Sequence, residues 1–139
     1  MAHILVVDDD ELVLTSLQLQ LEAKGHSAVT ANCGRSGIAT VAAGLYDLVI
    51  CDVFMPDMDG FETIRAIHER DPDLPVIVIS GFNFRNTSVP TPDFLAMATE
   101  LGAARSLRKP FRAKELTQAV DECLSSRAPK RPRMCAAQA

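Results

Sequence analysis

The chain has 139 residues, of which 47% are hydrophobic and 5% aromatic, so it can bury one domain core but has few rings for stacking on nucleic-acid bases. Residues 1–126 hold ten basic and eighteen acidic side chains, a net charge of −8 that disfavours phosphate-backbone binding, whereas 127–139 hold four basic and no acidic ones and predict a solvated tail. No apolar run is long enough to span a membrane, no signal peptide is present and the four cysteines lack disulfide or zinc spacing, so we expect a cytoplasmic protein with reduced thiols.

Short strand-like runs alternate with longer helical segments five times along the chain. The strand runs are 3–7, 26–31, 47–51, 75–80 and 104–107, and the helical segments are 11–24, 35–45, 61–70, 94–101 and 116–124. In the first helical segment Leu17, Leu19 and Leu21 also alternate with period two, but its length and composition favour a helix ended by Gly25. We therefore predict a single α/β domain, (βα)5, with helices on both faces of a doubly wound five-stranded parallel sheet.

Polar residues gather where these strands end. The acidic run 8–10 follows the first strand, and Asp52 follows the third. Ser80 closes the fourth strand, and Lys109 comes just after the fifth. The carboxyl ends of parallel strands meet at one edge of the sheet, which is where such sheets bind ligands. We therefore expect these side chains to form one site.

The chemistry of that site follows from its charges. Carboxylates held within a few ångströms repel by roughly 4 kcal/mol per close pair at an effective dielectric near 20. A hard divalent cation fits best as compensation, because Mg²⁺ prefers carboxylate, water and phosphate oxygens. The Lys109 ammonium suits an anion, and the Ser80 hydroxyl is a hydrogen-bond donor. Together these groups predict phosphoryl transfer to an aspartate oxygen.

Each of these residues also has a purely structural interpretation. Asp9 or Asp10 can cap the first helix, and Asp57 and Asp59 are better explained as the start of a helix than as metal ligands. A lone hydroxyl or ammonium group would be an ordinary surface feature. The joint arrangement at one sheet edge is what indicates a site.

Four motifs resemble those of a known family: LVVDDD (5–10), DVFMPDMDG (52–60), VIVISG (76–81) and KPF (109–111). In type and order they resemble the receiver domain of two-component response regulators, over about residues 3–125. The resemblance implies the sheet order 2-1-3-4-5 and makes Asp52 the phosphoacceptor. It also implies that Asp8 and Asp9 bind Mg²⁺ together with Asp52 and the backbone carbonyl of Phe54.

The resemblance extends to the other polar residues. Ser80 resembles the hydroxyl that follows the phosphoryl group, and Lys109 resembles the ammonium that neutralises it, before a cis Pro110. A receiver catalyses its own phosphorylation, so we do not expect a separate enzymatic activity.

Three features depart from the family pattern. Receivers usually carry an aromatic residue two or three positions before the Lys-Pro pair, where this chain has Ser106 and Leu107, so an aromatic switch of the usual kind is not expected. Phe82 or Phe84 is the alternative source of such a ring. The stretch 82–93 makes the loop after the fourth strand longer than usual. Phe54 and Phe82 occupy positions that influence the loss of phosphate to water, and bulky apolar groups there predict slow self-dephosphorylation.

We divide the chain into a receiver domain, 1–126, and a disordered basic tail, 127–139. Because few residues follow the last helix, we expect a stand-alone receiver without an output domain. The expected partners are a sensor histidine kinase or phosphotransfer protein and a downstream protein target. We expect no direct DNA binding, no membrane contact, and a monomer or weak dimer.

Three other interpretations fit parts of the sequence. VVDDDEL resembles the nucleophile motif of haloacid-dehalogenase-like phosphatases, with Asp8 as nucleophile and Asp10 as acid/base, but the later acidic pair of those enzymes is missing. A flavodoxin-like nucleotide binder needs a phosphate loop where this chain is acidic. A degenerate receiver that acts only as a scaffold need not keep every key residue, yet all are present here.

Overall fold

Runs rich in Val and Ile form most of the strands, because β-branched side chains suit a pleated backbone. The computed structural model describes residues 2–52, 60–80, 104–108 and 111–126. Within these residues the elements in chain order are β1 (His3–Val7), α1 (Glu11–Ala23), β2 (Ser27–Ala31), α2 (Gly34–Ala43), β3 (Leu48–Asp52), α3 (Gly60–Arg70), β4 (Val76–Ser80), β5 (Arg105–Arg108) and α4 (Ala113–Ser126). In the part of the chain described, no helix is both long and apolar enough to cross a membrane.

The five strands form one parallel sheet in the order β2-β1-β3-β4-β5, which confirms the predicted topology. The chain goes from β1 outward to β2 and then returns to the other side of β1 as β3. Strand order therefore reverses between β1 and β3, and Val7 at the end of β1 pairs with Cys51 near the end of β3. The carboxyl ends of these two strands form the crevice in which doubly wound sheets bind ligands.

Alternate residues of each strand enter separate cores on the two faces of the sheet. On one face, Leu5 and Val7 of β1 pack with side chains of α2 and α3. On the other, Ile4 and Val6 pack with side chains of α1 and α4. Helices therefore cover both faces, as predicted.

The first helix shows how burial resolves an ambiguous pattern. Leu17 and Leu21 are buried, whereas Leu19 between them is 62% exposed. In a helix Leu17 and Leu21 share a face that Leu19 does not, whereas in a strand all three would lie on the same face. Asp10 caps the start of α1. Gly25 lies just beyond its end with φ of +91°, a conformation that residues with a Cβ rarely adopt. The predicted helix and its stop are both confirmed.

Several element ends differ from the sequence prediction. Asp52 is the last residue of β3 rather than the residue after it, because its backbone pairs with Ile79 of β4. Leu45, predicted to be helical, lies beyond the end of α2 at Ala43 and is 68% exposed. Backbone pairing and capping decide these ends, and apolar periodicity does not report on either. The predicted helix 94–101, the loop 82–93 and the tail 127–139 lie outside the described residues.

Candidate functional site

Three carboxylates meet at the carboxyl edge of the two central strands. One oxygen each from Asp8, Asp9 and Asp52 lies within 4.8 Å of the other two. Asp8 is fully buried and Asp52 is 3% exposed, whereas Asp9 faces solvent. The site thus combines two buried acids with one that is open to water.

Asp8 is held by its backbone and by its side chain. Its N–H donates to the carbonyl of Ala31 in β2 at 3.1 Å, which continues the β1–β2 ladder one residue beyond β1. Its Oδ1 accepts from the N–H of Asp10 at 2.9 Å. Such a bond to the N–H two residues ahead orients an Asp carboxylate against its own backbone.

Asp10 itself has a structural role, as one of the sequence interpretations proposed. Its Oδ1 accepts from the N–H of Leu12 at 3.0 Å, and its backbone carbonyl accepts from the N–H of Leu14. Asp10 is therefore the N-cap of α1. It is not among the three acids whose oxygens converge.

The position of Asp52 is set by the strands on either side of it. Cys51 pairs with Val7 of β1, and Asp52 pairs with Ile79 of β4. The Cys51 thiol also lies 3.4 Å from the carbonyl oxygen of Asp52, to which it donates. A carboxylate on a backbone paired within a parallel sheet has little freedom to move away from its neighbours.

The geometry fits a small divalent cation. Oxygens that coordinate one Mg²⁺ at about 2.1 Å are at most about 4.2 Å apart across the octahedron. The three carboxylate oxygens lie within 4.8 Å of one another, so modest side-chain rotations would bring them onto one ion. The donor set is all oxygen and anionic, which matches the preference of Mg²⁺ rather than that of a softer metal.

The remaining predicted site residues are described in part or not at all. Ser80 ends β4, one residue beyond the partner of Asp52, so its backbone lies at the same sheet edge. Ser106 is half-buried in β5 and pairs with Val78. Phe54, Phe82, Lys109 and Pro110 lie outside the described residues.

Sequence reasoning gave no role to the N–H of Asp10. A sequence signal for this bond exists, because the side chain of an Asp can accept from the backbone N–H of the residue two positions later. In an acidic run such as 8–10, however, the sequence does not say which carboxylate turns back on the chain and which faces a ligand.

With this geometry established, similarity to known proteins identifies the family. The chain matches the response regulator receiver domain family over residues 4–121. It belongs to that family. The transcriptional regulatory protein GlrR of Escherichia coli K12 is 38% identical over 128 residues, which are 92% of this chain and 27% of GlrR.

Solved receiver structures agree with this assignment. A receiver domain protein from Clostridium thermocellum superposes with a TM-score of 0.78 at 30% identity, covering 90% of this chain and 95% of that one. The regulator TrrA from Thermotoga maritima, solved in complex with Mg²⁺ and BeF, gives a TM-score of 0.74 at 27% identity, covering 89% and 100%. Membership of the receiver family argues against the dehalogenase-like and nucleotide-binding interpretations.

The predicted set of partners, which left out an output domain and DNA, is wrong. The chain spans about a quarter of GlrR and half of YkoG from Bacillus subtilis, and both relatives are named as transcriptional regulators. The prediction rested on where the sequence ends and on the acidic charge of the receiver. Neither bears on an output domain, because a DNA-binding surface on a separate domain leaves no trace in the charge of the receiver.

Proposed function

We propose that this receiver domain accepts a phosphoryl group on Asp52 in a two-component phosphorelay, with Mg²⁺ as its cofactor. The observation that carries the proposal is the convergence of Asp8, Asp9 and Asp52 within 4.8 Å at the sheet edge. Asp52 is the best acceptor of the three, because it ends a central strand whose backbone is paired on both sides. Asp9 is exposed, and Asp8 is turned back onto the N–H of Asp10.

The residues that would hold the cation are Asp8, Asp9, Asp52 and, from the family resemblance, the carbonyl of Phe54. When bound, Mg²⁺ neutralises the carboxylates and polarises the phosphoryl oxygens. The similarity to TrrA, which was solved with Mg²⁺ and BeF, supports this choice of metal. The two buried acids would provide rigid ligands and the exposed acid a path of entry.

The transfer is a nucleophilic displacement at phosphorus. A carboxylate oxygen of Asp52 forms a bond to phosphorus as the bond from phosphorus to the donor breaks, and the electron pair leaves with the donor. We propose that the Ser80 hydroxyl and the Lys109 ammonium bind the phosphoryl oxygens and offset their charge. The product is an aspartyl phosphate, whose formation changes the conformation that a downstream component recognises. The domain's own residues carry the reaction, so no separate enzymatic activity is proposed.

We also propose that the domain works in the cytoplasm, where phosphodonors are made. Among the described residues Cys33, Cys51 and Cys123 are free thiols, which suits a reducing compartment.

Acetyl phosphate provides a direct test, since acetate is its only leaving group. The purified protein is incubated with Mg²⁺ and acetyl phosphate, and phosphorylation is followed by intact mass. We expect one phosphoryl group per chain in the wild type and none in Asp52→Asn or in the presence of EDTA.

Asp47→Asn is the matched control. Asp47 is a buried acid outside the cluster that lies just before β3, at the opposite end from Asp52, and accepts from the N–H of His3 at 2.9 Å. This variant should be phosphorylated like the wild type. Equal phosphorylation of Asp52→Asn, or borohydride trapping of the phosphoryl group on Asp8, would overturn the proposal.

A further inference from the structure

Asp10 links the acidic cluster to the start of α1 through three hydrogen bonds. Its N–H donates to Oδ1 of Asp8 at 2.9 Å. Its own Oδ1 accepts from the N–H of Leu12 at 3.0 Å, and its carbonyl accepts from the N–H of Leu14 at 3.0 Å. One residue thus caps a helix and orients a fully buried carboxylate.

We propose that Asp10 is a positioning residue for the cation, acting through Asp8. Its backbone is extended, with φ of −97° and ψ of 112°, and the side-chain bond to Leu12 closes only in such a conformation. That conformation relates α1 to the peptide between residues 9 and 10, which carries the N–H that donates to Asp8. Without the cap, nothing on the Asp10 side chain holds this conformation, and the bond by which Asp10 helps to orient the Asp8 carboxylate is weakened.

The effect reaches the cation because the cluster is tight. Three oxygens within 4.8 Å can share one ion only if each carboxylate keeps its direction. Groups that orient metal ligands through hydrogen bonds typically alter metal affinity by about 10- to 100-fold when removed. This inference rests on the proposed function, since it assigns Asp10 to the same cation site.

The experiment must distinguish the effect of the Asp10 charge from the effect of its capping hydrogen bond to Leu12. Asp10→Asn removes the charge and keeps a side-chain oxygen that can accept from Leu12, because Asn is as good an N-cap as Asp. Asp10→Ala removes the same charge and the cap as well. The two variants carry equal charge, so a difference between them reports on the cap.

The measurement is cation affinity of the whole chain, by titration with Mn²⁺ followed by electron paramagnetic resonance and competition with Mg²⁺. We expect the dissociation constant of Asp10→Ala to exceed that of Asp10→Asn by about tenfold. Asp10→Ser, which also caps, should behave like Asp10→Asn. Circular dichroism at the titration temperature selects conditions in which every variant is folded.

Glu115→Ala is the control for a lost helix cap elsewhere. Glu115 Oε1 accepts from the N–H of Arg112 at 2.8 Å, so this variant weakens the start of α4 without touching Asp8. Its Mn²⁺ affinity should equal that of the wild type. Equal affinity of Asp10→Ala and Asp10→Asn overturns the positioning role alone. A wild type that binds neither cation overturns the proposed metal site, and this inference with it.

Discussion

Gly37 of α2 packs directly on Val7, the last residue of β1. A Cβ added to Gly37 would stand 2.8 Å from Cγ2 of Val7 and 3.4 Å from Cγ1. Separations below 3.0 Å essentially never occur for a real Cβ, so α2 or Val7 would have to move. Because Val7 precedes Asp8 in the chain, the packing of α2 and the acidic cluster depend on the same stretch of backbone.

We predict that Gly37→Ala destabilises the domain. Alanine favours a helix over glycine by about 1 kcal/mol, but Val7 is fully buried and overpacking typically costs about 1–3 kcal/mol. The clash should therefore dominate, and the free energy of unfolding, measured by urea denaturation, should fall.

A double-mutant cycle with Val7→Ala tests the cause. The smaller residue makes room for the new methyl group, so the double variant should be more stable than the sum of the single changes by about 1 kcal/mol. Additive effects would place the origin of the loss elsewhere than in this contact.

The effect on stability of removing one charge from the acidic cluster should depend on Mg²⁺. Without the metal, Asp9→Asn should raise the melting temperature, because it removes one of three mutually repelling charges. With saturating Mg²⁺, the wild type should gain more stability than the variant, since it binds the cation more tightly. Asp121→Asn, an exposed acid on α4, should show neither effect. Equal Mg²⁺ responses in Asp9→Asn and the wild type would remove Asp9 from the metal site.

The sheet, and the site at the carboxyl ends of its strands, could be predicted from sequence because strands buried on both faces are continuous apolar runs. The central strands β1, β3 and β4 are nearly continuous apolar runs, and each ends in or next to a polar residue. Sheet order then brings those ends together. The assignment of Asp8, Asp9 and Asp52 to one edge followed from this, and the structure brings their oxygens together.

What could not be predicted depends on distances between residues far apart in sequence. Asp52 was expected just outside its strand, but pairing with Ile79 keeps it inside. Asp9 and Asp10 were equivalent candidates for the helix cap, and only the bond from Leu12 identifies Asp10. The proximity of Gly37 to Val7 has no sequence signature at all.

The open edge of the sheet at β2 is covered in part by a side chain of α1. Nε2 of Gln18 donates to the carbonyl of Ala28 at 3.1 Å. The backbone groups of Ser27 and Ala31 bond to the β1 side of β2. Successive residues of a strand direct their N–H and carbonyl groups to opposite sides, so the carbonyl of Ala28 points away from β1, to the outer edge. Exposed edge groups of this kind are templates for pairing with a second chain.

We therefore predict that Gln18→Met lowers the free energy of unfolding by about 1 kcal/mol and promotes self-association. Methionine keeps the length of the side chain but cannot donate. Sedimentation velocity over a range of protein concentrations measures the association. Gln20→Met is the control, because Nε2 of Gln20 donates to Ser16 within the same helix and not to the sheet. If the two variants sediment alike, Gln18 does not protect the edge.

Two buried side chains that lose a proton at alkaline pH, Cys123 and Tyr46, predict how stability responds to high pH. Burial raises the pKa of the Cys123 thiol above its ordinary value of 9.0, an effect that Glu122 reinforces and Arg105 opposes. Burial likewise raises the pKa of Tyr46 above 10.0. Folded chains therefore keep these protons to higher pH than unfolded chains do.

The sign follows from proton binding. Above about pH 9 the unfolded chain holds fewer protons than the folded one, so stability falls as pH rises toward the raised pKa values. At lower pH both states are protonated and these groups contribute no slope. Urea denaturation from pH 8 upward should show a shallower decline in Cys123→Ala than in the wild type, and Tyr46→Phe should flatten the more alkaline part. Cys33→Ala, which removes a half-exposed thiol, is the control. A decline in Cys123→Ala as steep as that of Cys33→Ala would show that burial of the Cys123 thiol does not contribute to it.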